Sequence, residues 1–385
     1  DNILPRVPDL DDICESAAVR GALISLLGDQ YVMAPHRFPH NSEPIGEDGD
    51  PLSDPFENQP KMGKGSISGS AWHQDGHSRS GRSRWHTLRA ANLFYFTHDT
   101  PLSMGPTRFL AGSHLYATLS GLCAEQVVME RMPAGSVVIA DFDLGHAGTP
   151  NNSQVCRYMV KFVALRTQNP SEPTWSNKSP KWSTPADLKT PHHIPLAWTS
   201  LWNWLRGAPR SEGMTISPIA YLPSLLEEMQ IEDQGIRLRA LYDLVAMGES
   251  AVDGLINILV STSGQDRHVS PKPNDSAYYG MSPDFLDRRY SDRQFVPEDA
   301  AVALAAIGHS AAPCLARLLR HEDPWVRLNA AYALGDAGPD VTMAYVKELS
   351  GLLDDPYSSV IRVTMDAFCA LGKFPQETVL RLHRF

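Results

Sequence analysis

The sequence predicts an α+β protein of more than one domain, in which a jelly-roll sandwich or barrel of short strands is followed by a short α-helical solenoid. Three observations lead there. The chain has 385 residues, more than one hydrophobic core usually organises. Apolar runs of strand length, parted by Gly, Pro, Asn and Ser, fill residues 69–166. After Pro218 the spacing turns helical and the sequence resembles itself at a period of roughly 30 residues.

Taken in order, the first 30 residues read as helical. Ala90–Phe96, Gly135–Ala140 and Tyr158–Leu165 are the clearest strands, and several such strands at this spacing suit a jelly roll. Residues 1–166 are therefore expected to form the strand domain. Residues 167–218 form a connection that holds Trp175, Trp182, Trp198, Trp202 and Trp204. So many indoles suit a segment packed on its neighbours rather than a solvated linker. In residues 219–385 the segments Leu244–Gly248, Leu304–Gly308 and Leu334–Gly338 align as copies. Asp323-Pro324 opens a helix with Arg327 one turn on, and Asp355-Pro356 repeats the opening with an Arg a little later. This resembles HEAT-like repeats. A polar stretch at about 261–297 interrupts them and reads as a loop insertion.

Composition narrows the function. The net charge of -10 argues against nucleic-acid binding, which draws on basic surfaces. No apolar run is long enough for a membrane span. The five cysteines are scattered, without a Cys-x-x-Cys pair, which suits a reducing, cytoplasmic setting.

The chemistry concentrates in a few residues. His73 and Asp75 lie two apart, which on a strand directs both side chains to one face. A second such triplet, His321-Glu322-Asp323, falls in an inter-helix turn and reads as solvated. What distinguishes the first is His146, at the end of the apolar strand that starts near Val137. Two His and one carboxylate can form the facial triad of non-haem iron(II) oxygenases, with open positions for a 2-oxoacid and O2. The far carboxylate of such a cosubstrate then needs a fixed cation, for which Arg offers a planar two-donor fork. A hairpin centred on Asn151-Asn152 would set Arg157 opposite His146 and supply it. Asn92, polar in an otherwise apolar file of Leu88, Ala90, Phe94 and Phe96, is expected to reach cosubstrate or substrate. Gln74 and His77 are candidates for the site entrance, and His77 with Arg79, Arg82 and Arg84 for a basic lid over an anionic group. His192-His193 reads as structural.

Trp72-His73-Gln74-Asp75-Gly76, then Met104-Gly105-Pro106-Thr107-Arg108-Phe109-Leu110-Ala111-Gly112-Ser113-His114, then His146 with Arg157 eleven residues later, resemble the phytanoyl-CoA dioxygenase-like family over residues 20–166. The resemblance implies a double-stranded β-helix of cupin type that uses Fe(II), 2-oxoglutarate and O2. It also implies His73, Asp75 and His146 as metal ligands, Arg157 on the cosubstrate and Gly112-Ser113-His114 as a fold-supporting turn. Many relatives carry a hydroxyl residue two positions after the distal His. Here Gly148 stands there and Thr149 follows, so Thr149 is the candidate for that cosubstrate contact. The stretch before His73 is shorter than is usual for the family, as expected of a chain trimmed at its start. Related halogenases have a small residue in place of the acid, so Asp75 favours hydroxylation or another oxidation.

The leading expectation is an oxygenase acting on a small-molecule metabolite. Two alternatives stand beside it: a protein or peptide hydroxylase that recruits its substrate through the repeats, and a non-catalytic scaffold. The substrate itself is not legible, because one barrel serves many substrates.

Overall fold

The computed structural model describes residues 3–44, 73–75, 86–117, 119, 127–128, 130–177, 179–186, 188, 190–265, 295–372 and 375–383. Trp72, His77, Arg79, Arg82, Arg84 and residues 266–294 of the expected insertion lie outside them. The insertion ends earlier than its polarity suggested: Phe295 and Val296 are buried, and Phe295 packs edge-on against Trp325 and Tyr332 at 5.6 and 5.7 Å.

Helices α1 (Asp9–Glu15) and α2 (Ala17–Leu27) open the described chain, as the sequence suggests. Seven strands follow among the described residues: β1 (Val32–Ser42), β2 (Ala90–Phe96), β3 (Arg108–Leu110), β4 (Val127–Val128), β5 (Val137–Asp141), β6 (His146–Ala147) and β7 (Arg157–Leu165). They form two antiparallel sheets, one in the order β1-β7-β2-β5 and one in the order β4-β3-β6. Side chains alternate across a strand, and β7 shows what each face does. Val160, Phe162 and Ala164 join Ala91 and Leu93 of β2 under Leu10, Cys14, Val19, Leu23 and Leu27 of the two N-terminal helices. Met159, on the other face, joins Phe94 and Phe96 and meets Phe109 of the smaller sheet. Phe94 and Phe109 touch edge to face at 5.1 Å. Arg157 and Lys161 share the parity of Met159, so the inward face carries two cations.

The helices are α3 (Pro195–Leu205), α4 (Leu222–Glu228), α5 (Gln234–Met247), α6 (Glu249–Ser261), α7 (Asp299–Ile307), α8 (Ala312–Leu318), α9 (Pro324–Ala337), α10 (Pro339–Thr342), α11 (Val346–Gly351), α12 (Ser358–Leu371) and α13 (Gln376–Leu382). Asp233 and Asp323 cap α5 and α9 by accepting from Ile236 N and Trp325 N. One turn later Arg237 binds the Ile231 and Glu232 carbonyls and reaches Asp299, while Arg327 binds the His321 and Glu322 carbonyls and reaches Asp355. Each Arg thus closes its own turn and clasps an acid further along. His321-Glu322-Asp323 is part of this clasp and not a metal site.

The tryptophans bind the parts together. Trp202 packs on Trp175 and Trp182 at 5.0 and 5.7 Å, and Trp204 lies under the guanidinium groups of Arg89 and Arg166. One apolar cluster runs from Leu110, Tyr116 and Ala147 through Trp198 into α5, α7, α9 and α12. Among the described residues no helix is long and apolar enough to cross a membrane.

Candidate active site

His73 and His146 are joined backbone to backbone: His73 N donates to His146 O at 3.1 Å and His146 N to His73 O at 3.0 Å. This short antiparallel bridge fixes the spacing of the two rings, whose centroids are 4.3 Å apart. Asp75 lies beyond the bridge rather than on a strand, yet its carboxylate turns back to the rings. His73 Nε2 is 3.8 Å from Asp75 Oδ1, and His146 Nε2 is 3.7 Å from Asp75 Oδ2. One ligand atom from each of the three residues lies within 4.8 Å of the others, a spacing at which a single metal ion can be held. The His146 Nδ1 is 2.9 Å from the Leu144 carbonyl. A carbonyl only accepts, so Nδ1 carries the proton and the Nε2 lone pair faces Asp75.

Gln74, expected at the entrance, faces inward. It is 1% exposed, and its amide donates to the carbonyls of Ser113, Tyr116 and Asp143. It pins the segment that carries both flanking ligands. Ser113 contributes again by accepting from Gly145 N at 2.7 Å, just before His146. The turn at Gly112-Ser113-His114 thus supports the site from behind, as the resemblance implied. His192 serves the same scaffold: Tyr116 Oη and His192 Nδ1 are 2.8 Å apart.

Asn92 does not point to an open space for cosubstrate. It is fully buried on β2, and its Nδ2 donates to Asp75 Oδ2 at 2.7 Å. The amide orients the carboxylate and leaves Asn92 Oδ1 without a partner among the described residues. The same oxygen, Asp75 Oδ2, also accepts from Lys161 Nζ. Lys161 was not singled out in the sequence, although it is the one charge within the apolar run of β7 after Arg157. Its Nζ is 3.3 Å from His146 Nε2 and 5.2 Å from the centre of the Phe94 ring. His40, on β1 opposite Met159, is a second residue that sequence reasoning missed. Lys161, Asp75, Arg157 and His73 all act on its charge.

These surroundings set the protonation states. Burial pushes the Asp75 carboxyl up, but Lys161, His146 and His73 outweigh it and hold the group well below the usual carboxylate range. Burial first, then His73 and Lys161, drive His146 far below the ordinary imidazole range. His40 is lowered to about 4, by burial and then by Lys161. Asp75 ionised beside a neutral His146 is the form in which these two groups ligate a divalent cation.

Arg157 reaches this region by a route other than the expected hairpin. β6 pairs with β3, whereas β7 pairs with β1 and β2, so His146 and Arg157 belong to different sheets. His146 likewise does not continue β5 but follows a turn after Asp141. Residues 148–156 are the crossing. Asn151, buried, ties it down by donating to the Ser42 and Val155 carbonyls, each at 2.8 Å. Thr149 lies in the same crossing, 3% exposed, with its carbonyl against Gly105. Gly105 has φ +68° and its Cα faces the Thr149 and Pro150 carbonyls, so a side chain there would collide with the crossing. Arg157 Nη1 donates to the Gly105 carbonyl. Arg108 Nη2 donates to Gly148 O at 3.0 Å, a further buried cation on the crossing that the sequence reading passed over. Arg157 is 6% exposed, has no carboxylate partner among the described residues, and its Nε is unpaired there. Buried charges are ordinarily paired, so an anionic ligand fits this position.

The donor set suits a divalent metal. Asp75 Oδ1 and two Nε2 atoms converge, while Oδ2 is held by Asn92 and by Lys161, whose ammonium also stands against His146 Nε2. Residues 45–159 match the family model described as Phytanoyl-CoA dioxygenase (PhyH), and residues 285–368 match that of HEAT repeats. The two resemblances read from the sequence are therefore present in the chain. Among solved structures it is similar to a non-heme monooxygenase in a ThoJ-Ni complex, at 20% identity over 42% of this chain and 57% of that one, with a TM-score of 0.30. It is also similar to the non-heme alpha ketoglutarate dependent epimerase SnoN from nogalamycin biosynthesis, at 15% identity, 43% and 60% coverage and a TM-score of 0.31. A third is EctD from S. alaskensis with 2-oxoglutarate and 5-hydroxyectoine, at 17% identity, 49% and 65% coverage and a TM-score of 0.32. The chain covers less than two thirds of each of these structures. No curated protein matches it.

Proposed function

We propose that this protein is an Fe(II)- and 2-oxoglutarate-dependent dioxygenase that oxidises an unactivated C–H bond of a small-molecule metabolite. The observation that carries the proposal is the convergence of His73 Nε2, His146 Nε2 and the Asp75 carboxylate, with the unpaired cation of Arg157 inward on β7. In this reading residues 1–166 form a double-stranded β-helix, 167–218 a packed connection and 219–385 the HEAT-like repeats. Iron bound there would supply O2 activation coupled to decarboxylation of 2-oxoglutarate to succinate and CO2.

The protein's own residues do the rest. Leu144 O fixes the His146 tautomer, and Gln74 keeps the two neighbouring ligands in register. Asn92 prevents the carboxylate from rotating. Arg157 takes the far carboxylate of 2-oxoglutarate through its fork, and Phe94, 5.3 Å from the His146 ring, keeps that wall apolar. In the same reading Thr149, buried on the crossing, contacts that carboxylate. Retention of Asp75 supports hydroxylation or a related oxidation. HEAT repeats often mediate protein contacts.

Anaerobic titration of the protein with iron(II) and 2-oxoglutarate tests the assignment. The expected result is a weak visible charge-transfer band, retained at lower affinity in Arg157→Ala. Bound iron with no band on addition of 2-oxoglutarate would overturn the cosubstrate and favour a scaffold.

A further inference from the structure

Lys161 has no part in the functional reading above, and its position is unusual for a site built to hold a cation. It is 8% exposed on the inward face of β7, and its ammonium is bonded to Asp75 Oδ2. The same Nζ is 3.3 Å from His146 Nε2, the lone pair that a metal would take. Phe94 walls it on one side, so little water screens its charge.

The charges determine what this does. Two neutral imidazoles, one carboxylate, a divalent metal and Arg157 sum to +2, and Lys161 raises the sum to +3. In a partly desolvated site that excess opposes a metal bound alone, and the lysine also holds two of the ligand residues, Asp75 and His146. A chelating 2-oxoacid with two carboxylates brings -2 and lowers the sum to +1. Without Lys161 the same set would run from +2 to 0, with less opposition to the metal and less attraction for the dianion. The lysine therefore weakens one binding step and strengthens the next.

Resting on the reading of the site as a metal and 2-oxoacid centre, we propose that Lys161 makes the two ligands interdependent: it penalises a divalent metal bound alone and favours the metal together with a dianionic 2-oxoacid. By linkage the coupling is the same whichever ligand is added first. The consequence is a site that loads as a pair and holds little metal without cosubstrate.

The test is calorimetric and needs no turnover. Mn(II), a redox-quiet probe, is titrated anaerobically into the full chain, and 2-oxoglutarate is then titrated into the Mn(II)-saturated protein. Wild type is compared with Lys161→Met, which keeps the stem and removes the charge. Lys161→Gln, which keeps a donor for Asp75, serves as a second variant should the first fold poorly. The expected result is Mn(II) binding roughly tenfold tighter in both variants, with 2-oxoglutarate binding roughly tenfold weaker. Mn(II) binding in the variants but not in wild type would be the extreme form of the same effect. Equal Mn(II) affinity in all three proteins, or a change in one affinity without the opposite change in the other, overturns the inference and leaves the metal site standing. No Mn(II) binding in any of them overturns both.

Discussion

Asp75 and Asp336 are both carboxylates withdrawn from water, and they are handled in opposite ways. Asp336, on α9, accepts only from donors: Thr87 Oγ1 at 2.8 Å and Arg89 Nη2 at 3.3 Å on one oxygen, Arg210 Nη1 at 3.0 Å on the other. The three donors come from the approach to β2 and from the segment after α3, so the cluster fastens the repeats to the strands. Asp75 is satisfied on Oδ2 alone, while Oδ1 faces an imidazole 3.8 Å away. A charge that serves structure is closed by the protein's own donors. A charge that serves a ligand keeps acceptors converging on one point.

The largest expected effect comes from opening the closed cluster. Asp336→Ala leaves Arg89 and Arg210 buried without their acid and is expected to cost about 3–5 kcal/mol in urea unfolding. A loss below about 1 kcal/mol would mean that the cluster is not what fastens the two regions. At the open cluster the effect should depend on metal. Mn(II) with 2-oxoglutarate, at about a hundredfold over the apparent Kd, is expected to stabilise wild type by about 2.7 kcal/mol and His73→Ala not at all. An equal rise in the variant would place the metal elsewhere. Asn92→Ala sharpens the contrast further, because it frees the carboxylate without removing a ligand. Metal affinity should fall about 10- to 100-fold, and an unchanged affinity would show that Lys161 alone orients Asp75.

How far each cluster could be read beforehand follows from where its information lies. His73 and Asp75 are neighbours in sequence and are visible together. The Asp-to-Arg clasps of the repeats are equally local, since an N-cap and a residue one turn later need no long-range knowledge. Arg157 was selected for its chemistry, but the strand that carries it pairs with β1 and β2 rather than with His146. Turn-forming residues at Asn151-Asn152 show that the chain turns, not which strand it meets next, and here it changes sheets. Lys161 was hidden by averaging: within Met159–Leu165 one lysine hardly alters an apolar run. Counting by twos from Arg157 would have placed both cations on one face. β1 was missed because Pro35 and Pro39 argue against a strand, whereas an edge strand tolerates them, and β1 is the edge of its sheet. Its His40 was lost with it. Asp336 was invisible because its three partners come from distant parts of the chain.

His40 gives the smallest effect and the clearest test of whether the open cluster strains the fold. Its folded-state value is lowered to about 4 by burial and then by Lys161, against an ordinary 6.5. Between those values the unfolded chain binds the extra proton and the folded protein does not, so stability is fully present above 6.5 and is lost as pH falls toward 4. From pH 7 to pH 5.5 the loss assigned to this ring is about 1 kcal/mol. His40→Gln should flatten that part of the stability curve and leave the part above pH 7 unchanged, as read by urea unfolding at each pH. Identical slopes in both proteins would remove His40 from the set of groups that Lys161 acts on. A flattened slope would show that His40 is held neutral at the edge strand, by burial first and then by the positive charge gathered around Asp75, in contrast to the self-neutralised cluster at Asp336.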